Sequence, residues 1–130
     1  MVKVEKIGGN QSKKFVENFK PNCLIVVTHP GCGHCVAMKP ALEKAYNDLE
    51  NLYTGDSTVF DVHGDAVDES KQHIKQLNSV DGFPTLLIVK DKQTDPIMYQ
   101  GDRSKEDIIK FMTDNLDVKP KKGGKKTRKY

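Results

Sequence analysis

The stretch Cys23-Leu24-Ile25-Val26-Val27-Thr28-His29-Pro30-Gly31-Cys32-Gly33-His34-Cys35 decides the fold. Its first half is an unbroken apolar run, the pattern of a strand buried on both faces. Thr28 to Gly31 breaks that run. Beyond Cys35, Met38, Leu42, Ala45, Tyr46 and Leu49 recur at helical spacing. Cys32 and Cys35 therefore sit where a buried strand hands over to a helix N-terminus. Two cysteines separated by two residues can close a disulfide within one helical turn. A free thiol has a pKa of about 8.5, and the positive end of a helix dipole lowers it. The thiolate is the nucleophile, so the location favours redox chemistry.

Working outward, Val2, Val4 and Ile7 predict a first strand that Gly8-Gly9 ends. Asn10 or Ser12 is placed to cap a helix carrying Phe15, Val16 and Phe19. The motif helix is expected from Cys32 to Leu52, kinked at Pro40. Ser57 to Val62 reads as a third strand, and Asp68 to Leu77 as a short helix. Thr85 to Val89 and Ile97 to Tyr99 read as strands joined by a polar hairpin loop. Ser104 and Asp107 form a capping box for a last helix through Ile108, Ile109, Phe111 and Met112. The order β-α-β-α-β-α-β-β-α predicts an α/β fold whose central mixed sheet is flanked by helices on both faces.

A chain of 130 residues has one domain's worth of sequence. No run approaches the roughly 18 apolar residues of a membrane span, so no membrane contact is expected. The N-terminus lacks the apolar core of a secretory signal and the C-terminus lacks a retention signal. Three cysteines are too few for a disulfide scaffold, which suits one working disulfide plus a buried Cys23. Of the 21 Lys and Arg residues, Lys119, Lys121, Lys122, Lys125, Lys126, Arg128 and Lys129 all follow Asp117, the last acid. The expected organisation is a domain over residues 1–116 and a basic, disordered tail over 117–130 that cannot bury a core from Val118 onward. The tail is read first as solubilising, with nucleic-acid contact through counterion release as the lesser alternative.

Zinc is the rival chemistry for paired cysteines. A structural site needs four ligands, and this chain has no second Cys-x-x-Cys. His63 and His73 lie ten apart, outside the usual ligand spacing. No metal or organic cofactor is expected.

The Cys-x-x-Cys between the second strand and its helix resembles the redox signature of the thioredoxin superfamily over about residues 1–115. The protein disulfide isomerase branch is the best match, on four local features: Cys32-Gly33-His34-Cys35; Pro40, five residues beyond the second cysteine; Gly82-Phe83-Pro84-Thr85; and Tyr99, Gly101 and Arg103 before the last helix. The resemblance implies the thioredoxin fold and a thiol–disulfide oxidoreductase of the isomerase or oxidase type. Its partners would be protein thiols and disulfides, together with a reductase or oxidase. It further implies that Cys32 is the attacking nucleophile and Cys35 the resolving cysteine. Pro84 would be a cis-proline, with Gly31, Phe83 and Pro84 forming the substrate face. Gly33 and His34 would support the dithiol, His34 by tuning the Cys32 thiolate, and Arg103 would swing towards Cys35.

By stabilising the Cys32 thiolate, His34 would move the potential towards the disulfide isomerase end of an interval of about 90 mV above thioredoxin. A thioredoxin-like reductant and a non-catalytic interaction module anchored by the tail are the alternatives. His29 would lie exposed beside the motif. Two departures stand out. Gly31 occupies the place of a usual Trp, and Val26 that of a usual buried acid. Asp61 on the third strand is the candidate to replace that acid. The Lys/Gly-rich ending resembles tails on proteins of large DNA viruses, which implies a cytoplasmic or virion-associated setting.

Overall fold

In the computed structural model, which describes residues 1–121, the strand-to-helix handover around the cysteines organises everything else. The apolar run forms β2 (Cys23–Thr28), buried along its length except at Thr28. It lies between β4 (Thr58–His63), parallel to it, and β5 (Thr85–Val89), antiparallel to it. Strand β1 (Lys3–Ile7) pairs with the other edge of β4, and β6 (Ile97–Met98) with the other edge of β5. The mixed sheet therefore has the order β1-β4-β2-β5-β6.

Alternation along the strands sends side chains to two separate cores. Leu24, Val26, Val59, Leu86 and Ile88 meet Met38, Leu42, Ala45, Tyr46 and Leu49 of α2 (Gly33–Leu52) and Ile108, Ile109 and Met112 of α4 (Lys105–Asn115). Cys23, Ile25, Val27, Phe60, Val62, Leu87 and Val89 face the opposite core. There they meet Phe15 of α1 (Ser12–Asn18) and Ala66 and Val67 of α3 (Gly64–Ser70). Helices thus cover both faces, as the pattern predicts. By the same alternation Asp61 falls on the α2 side, between Val59 and the end of β4.

Three expectations are corrected. Helix α3 begins at Gly64, not Asp68, because the His63 side chain accepts the Asp65 N–H (3.0 Å) and caps it there. The predicted 68–77 helix is instead the end of α3 followed by a 3-10 turn over Lys75–Ser79, with Ile74 and Leu77 inward as expected. Neither Asn10 nor Ser12 caps α1: Gln11 occupies the capping position, and Ser12 Oγ donates to Glu69 (2.7 Å) instead.

The third correction is at the C-terminus. Val118 is buried, and β7 (Lys119–Pro120) pairs with β3 (Tyr53–Thr54), which follows α2 directly. The Lys121 N–H donates to the Leu52 carbonyl (2.9 Å). The folded part therefore runs past residue 116. One buried valine and a two-residue ladder outweigh the polar composition around them. The rest of the basic tail, residues 122–130, lies outside the described residues.

Pro40 lies inside α2 without ending it. The capping box forms in a modified way. Ser104 Oγ accepts the Asp107 N–H (3.1 Å), but the Asp107 carboxylate reaches back to the Asp102 N–H (3.3 Å).

Candidate active site

Cys32 is the N-cap of α2, and Cys35 lies in its first turn. The two are joined by a disulfide with a Cα–Cα separation of 5.2 Å. Cys32 is partly exposed, whereas Cys35 is 5% exposed and packs beneath it. The Cys35 N–H donates to Cys32 Sγ (3.0 Å), and Cys32 N–H donates to the His29 carbonyl (3.1 Å). When the bond is reduced, that N–H and the helix terminus both favour negative charge on Cys32. The pair is therefore asymmetric, with one sulfur presented to solvent and charge-stabilised and the other enclosed. Cys23 is fully buried in β2, and burial pushes its thiol up to about 12, so it is inert.

Gly33 and His34 are exposed at the start of the helix. A Cβ on Gly33 would meet nothing, and one on Gly31 only the His29 ring at 3.8 Å. Packing therefore leaves the face beside Cys32 open where a large aromatic would fit. The aromatic surface comes from elsewhere. Phe83 is 41% exposed, and its ring stacks on His29 at 5.3 Å with 25° between planes. The Phe83–Pro84 bond is cis. Gly64, at the start of α3, lies directly beneath the Phe83 ring: a Cβ there would be 2.6 Å from Cε1 and Cζ. The absence of a side chain at Gly64 lets this loop settle beside the dithiol.

Around His29 lies a cluster that sequence spacing does not bring together. His29 Nε2 is 3.3 Å from Asp65 Oδ1, and the His29 and His63 rings are 4.9 Å apart. These three side chains have the types and proximity of metal ligands. However, His29 Nδ1 accepts the Gly31 N–H (3.3 Å) and His63 Nδ1 accepts the Asp65 N–H (3.0 Å). A neutral imidazole has one acceptor nitrogen, so both rings are already committed to backbone donors. The cluster ties the Cys32 loop to α3.

Arg103 is exposed with a positive φ of 68°, and its N–H donates to the Tyr99 hydroxyl (2.9 Å). It is not among the residues lining the cleft behind the disulfide. That cleft, about 520 Å³, is lined by Cys35, Val36, Lys39 and Glu43 of α2, by Thr28, His29 and Pro30, and by Asp61 and His63 of β4, among others. Asp61 pairs in register with Val26 on one side and with Lys6 on the other. It accepts a hydrogen bond from the Tyr46 hydroxyl (2.6 Å). Burial raises its carboxyl above the usual range, and the Tyr46 bond opposes that rise. Sequence reading did not identify Tyr46 as its partner. The available signal was a hydroxyl in an otherwise apolar helical stripe, since a buried tyrosine oxygen needs a partner.

The thioredoxin family model matches residues 3–114. The chain belongs to the thioredoxin family. This thioredoxin domain is 35% identical over 109 residues to protein disulfide isomerase-like 1-1 of Arabidopsis thaliana, covering 82% of this chain and 20% of that one. It is 32% identical over 105 residues to the protein disulfide-isomerase erp38 of Neurospora crassa, covering 79% of this chain and 27% of that one. The domain thus spans about a fifth to a quarter of these relatives. Among solved structures, the first thioredoxin domain of mouse protein disulfide-isomerase A4 matches with a TM-score of 0.55 at 27% identity, covering 84% of this chain and 72% of that one. The J-Trx1 fragment of ERdj5 shares the fold with a TM-score of 0.61 at 18% identity, covering 89% and 52%.

Proposed function

We propose that this thioredoxin domain exchanges disulfides with protein substrates, in the manner of a disulfide isomerase or oxidase. The observation that carries the reading is the asymmetry of the pair: Cys32 partly exposed at the α2 N-cap, Cys35 enclosed beneath it. In the reduced domain the Cys32 thiolate attacks one sulfur of a substrate disulfide. A Cys32–substrate bond forms and the other substrate sulfur leaves as a thiolate. Cys35, as thiolate, then attacks Cys32 Sγ. The Cys32–Cys35 bond forms and the second substrate sulfur is released. The substrate gains two electrons and the domain loses two. Run backwards, the same steps oxidise a substrate dithiol, so the two sulfurs need no metal or organic cofactor.

The substrate is held against Phe83, Pro84 and the open face at Gly31. His34, exposed between the cysteines, favours the Cys32 thiolate and with it the oxidising direction. Disulfide isomerase homologues and the Cys-Gly-His-Cys pair support this direction over a thioredoxin-like reductant. The test is trapping. A Cys35→Ser variant should accumulate mixed disulfides with substrate proteins through Cys32, and a Cys32→Ser variant should not. Capture of nothing by the first would leave only the non-catalytic module. A reduction potential at or below about −270 mV would instead indicate the reductant.

A further inference from the structure

The loop that carries Cys32 is tied down by a chain of hydrogen bonds that runs in one direction. The Gly31 N–H donates to His29 Nδ1 (3.3 Å). That leaves the ring proton on His29 Nε2, which faces Asp65 Oδ1 (3.3 Å). The Asp65 N–H in turn donates to His63 Nδ1 (3.0 Å), the cap of α3. Both rings accept from a backbone N–H, so both bonds exist only while the rings are neutral. His29 also carries the Phe83 stack (5.3 Å), and Phe83 is the exposed aromatic of the substrate face. The exchange chemistry itself uses neither ring.

Histidine is the side chain that changes charge between about pH 5 and 8. A second proton on either ring goes to Nδ1 and sets a donor against a donor. The rings are half-buried and 4.9 Å apart, so two charges there also repel. Asp65 is exposed and can neutralise one ring, not two. A charged His29 is attracted to the Phe83 face. It keeps that contact only by holding its Nδ1–H against the Gly31 N–H. The other charges in the adjoining cleft do not offset this. Lys6 of β1 and Glu43 of α2 pair with each other (2.8 Å), Lys39 of α2 is a further cation, and Asp61 of β4 accepts from Tyr46. From the β1–α1 loop His63 meets Gly9, where a Cβ would lie 3.1 Å from its Nδ1, and from the Cys32 loop the neighbours are the uncharged Pro30 and Gly31.

We propose that His29 and His63, as neutral rings joined through Asp65, position Phe83 for extended substrates, and that acid releases it. The inference rests on the exchange reaction above. No covalent bond of the chain changes. Each ring takes a proton from water, its bond to the backbone N–H opens, and Phe83 loses the surface it stacks on. Cys32 keeps its place, because its own bonds are to the Cys35 N–H and the His29 carbonyl, not to the rings. Small disulfides that reach Cys32 directly are therefore spared. Extended ones that lie against Phe83 are not. The result is a substrate preference that depends on pH. His29 and His63 are positioning residues, acting on the substrate through Phe83.

The experiment compares two substrates of the reduced chain across pH. One is bis(2-hydroxyethyl) disulfide, small and uncharged. The other is an extended peptide disulfide that carries a fluorophore and a quencher and no histidine. The ratio of their second-order rate constants, peptide over small, cancels the titration of Cys32 and the influence of His34 on it, which act on both alike. From about pH 7.5 to about pH 5.5 this ratio should fall roughly tenfold, within the roughly 100-fold that a 1 Å misplacement can cost. Asparagine places Oδ1 as many bonds from the backbone as histidine places Nδ1. It accepts the same N–H and takes up no proton. The ratio of the His29→Asn/His63→Asn double variant should therefore be flat over this range. A flat ratio in the unaltered chain, or an undiminished fall in the double variant, overturns the proposal. Should the double variant fail to fold, His63→Asn decides alone, since asparagine is among the best helix caps. A fall smaller than that of the unaltered chain supports the proposal, and an equal fall overturns it. No reaction with the small disulfide at any pH would overturn the exchange reaction itself, and the proposal with it.

Discussion

Gly64→Ala separates the site from the fold. The added Cβ would lie 2.6 Å from two Phe83 ring atoms and 3.3 Å from His29 Cδ2. Carbon–carbon contacts settle near 3.5–4.0 Å, so the Phe83 ring must retreat by about 1 Å. Gly64 is buried in the first turn of α3, whereas Phe83 is 41% exposed, so the ring yields and the helix stays. Losing the His29 stack costs about 0.5–1.5 kcal/mol. Alanine in a helical conformation returns about 0.4–1 kcal/mol by restricting the unfolded chain. The net is within about 1 kcal/mol, so the thermal midpoint should move by less than about 8 °C. Function has no such compensation, because a 1 Å misplacement in a positioned site can cost up to about 100-fold.

A fall of roughly tenfold in kcat/KM is expected for an unfolded protein disulfide, equivalent to about 1.4 kcal/mol. A small disulfide that reaches Cys32 without the Phe83 loop should change by less than about twofold. The coupling is testable in a cycle: in a Phe83→Ala background the clash is gone, so Gly64→Ala should cost little further. Equal losses for large and small substrates, or full additivity with Phe83→Ala, would refute the argument that Gly64 acts through the Phe83 ring.

Two further outcomes follow from burial and backbone geometry. Because burial raises the Asp61 carboxyl, the folded chain keeps that proton to higher pH than the unfolded chain. Its ionisation therefore opposes folding, with no penalty below the unfolded carboxylate pKa of about 3.9 and the full penalty above the folded one. Asp61→Asn should accordingly raise the urea midpoint at pH 7, with the gap closing on acidification; a gap that widens towards low pH would contradict the burial argument. Gly55 has a φ of +151°, and a Cβ there would sit 2.6 Å from the Asp117 carbonyl oxygen. Gly55→Ala should cost about 1–3 kcal/mol and speed hydrogen exchange at the Lys121 N–H, which bonds to Leu52 beside the β3–β7 ladder. Unchanged exchange would mean that the ladder does not depend on this turn.

The parts of this fold that could be read in the sequence are those where local pattern and tertiary role agree. Thr85–Val89 is apolar, β-branched and bounded by turns, and its observed limits are those expected. Cys32 to Cys35 could be placed because a strand ends and a helix begins in one short segment. Errors arose where a distant partner settled the matter. The helix expected from Asp68 begins at Gly64, because the His63 ring caps it there, and Phe83 needs the glycine. Val118 looks isolated among lysines, yet residues beside α2, far off in sequence, give it a core and a ladder. The His29–His63–Asp65 cluster likewise joins the ends of two strands and the start of a helix, which no local spacing announces.

Gly31 and Val26 each lie close to a group that another part of the chain supplies. A parallel sheet places residues of neighbouring strands side by side on one face, so a group can move to the next strand and still reach the same volume. Val26 and Asp61 are such register partners, both directed towards α2. Asp61 on β4 lines the cleft behind Cys35 and accepts a hydrogen bond from Tyr46, which sits on the helix that carries Cys35. In the same way, the aromatic surface missing at Gly31 is supplied by Phe83, which the bare backbone of Gly64 lets settle onto His29. What the site requires is a group at a place in space, and the sheet offers more than one sequence position from which to reach it. Asp61→Asn and Gly64→Ala should therefore act on different properties. The first raises the urea midpoint at pH 7, the second slows formation of the mixed disulfide with large substrates, and in the double variant the two effects should combine without overlap.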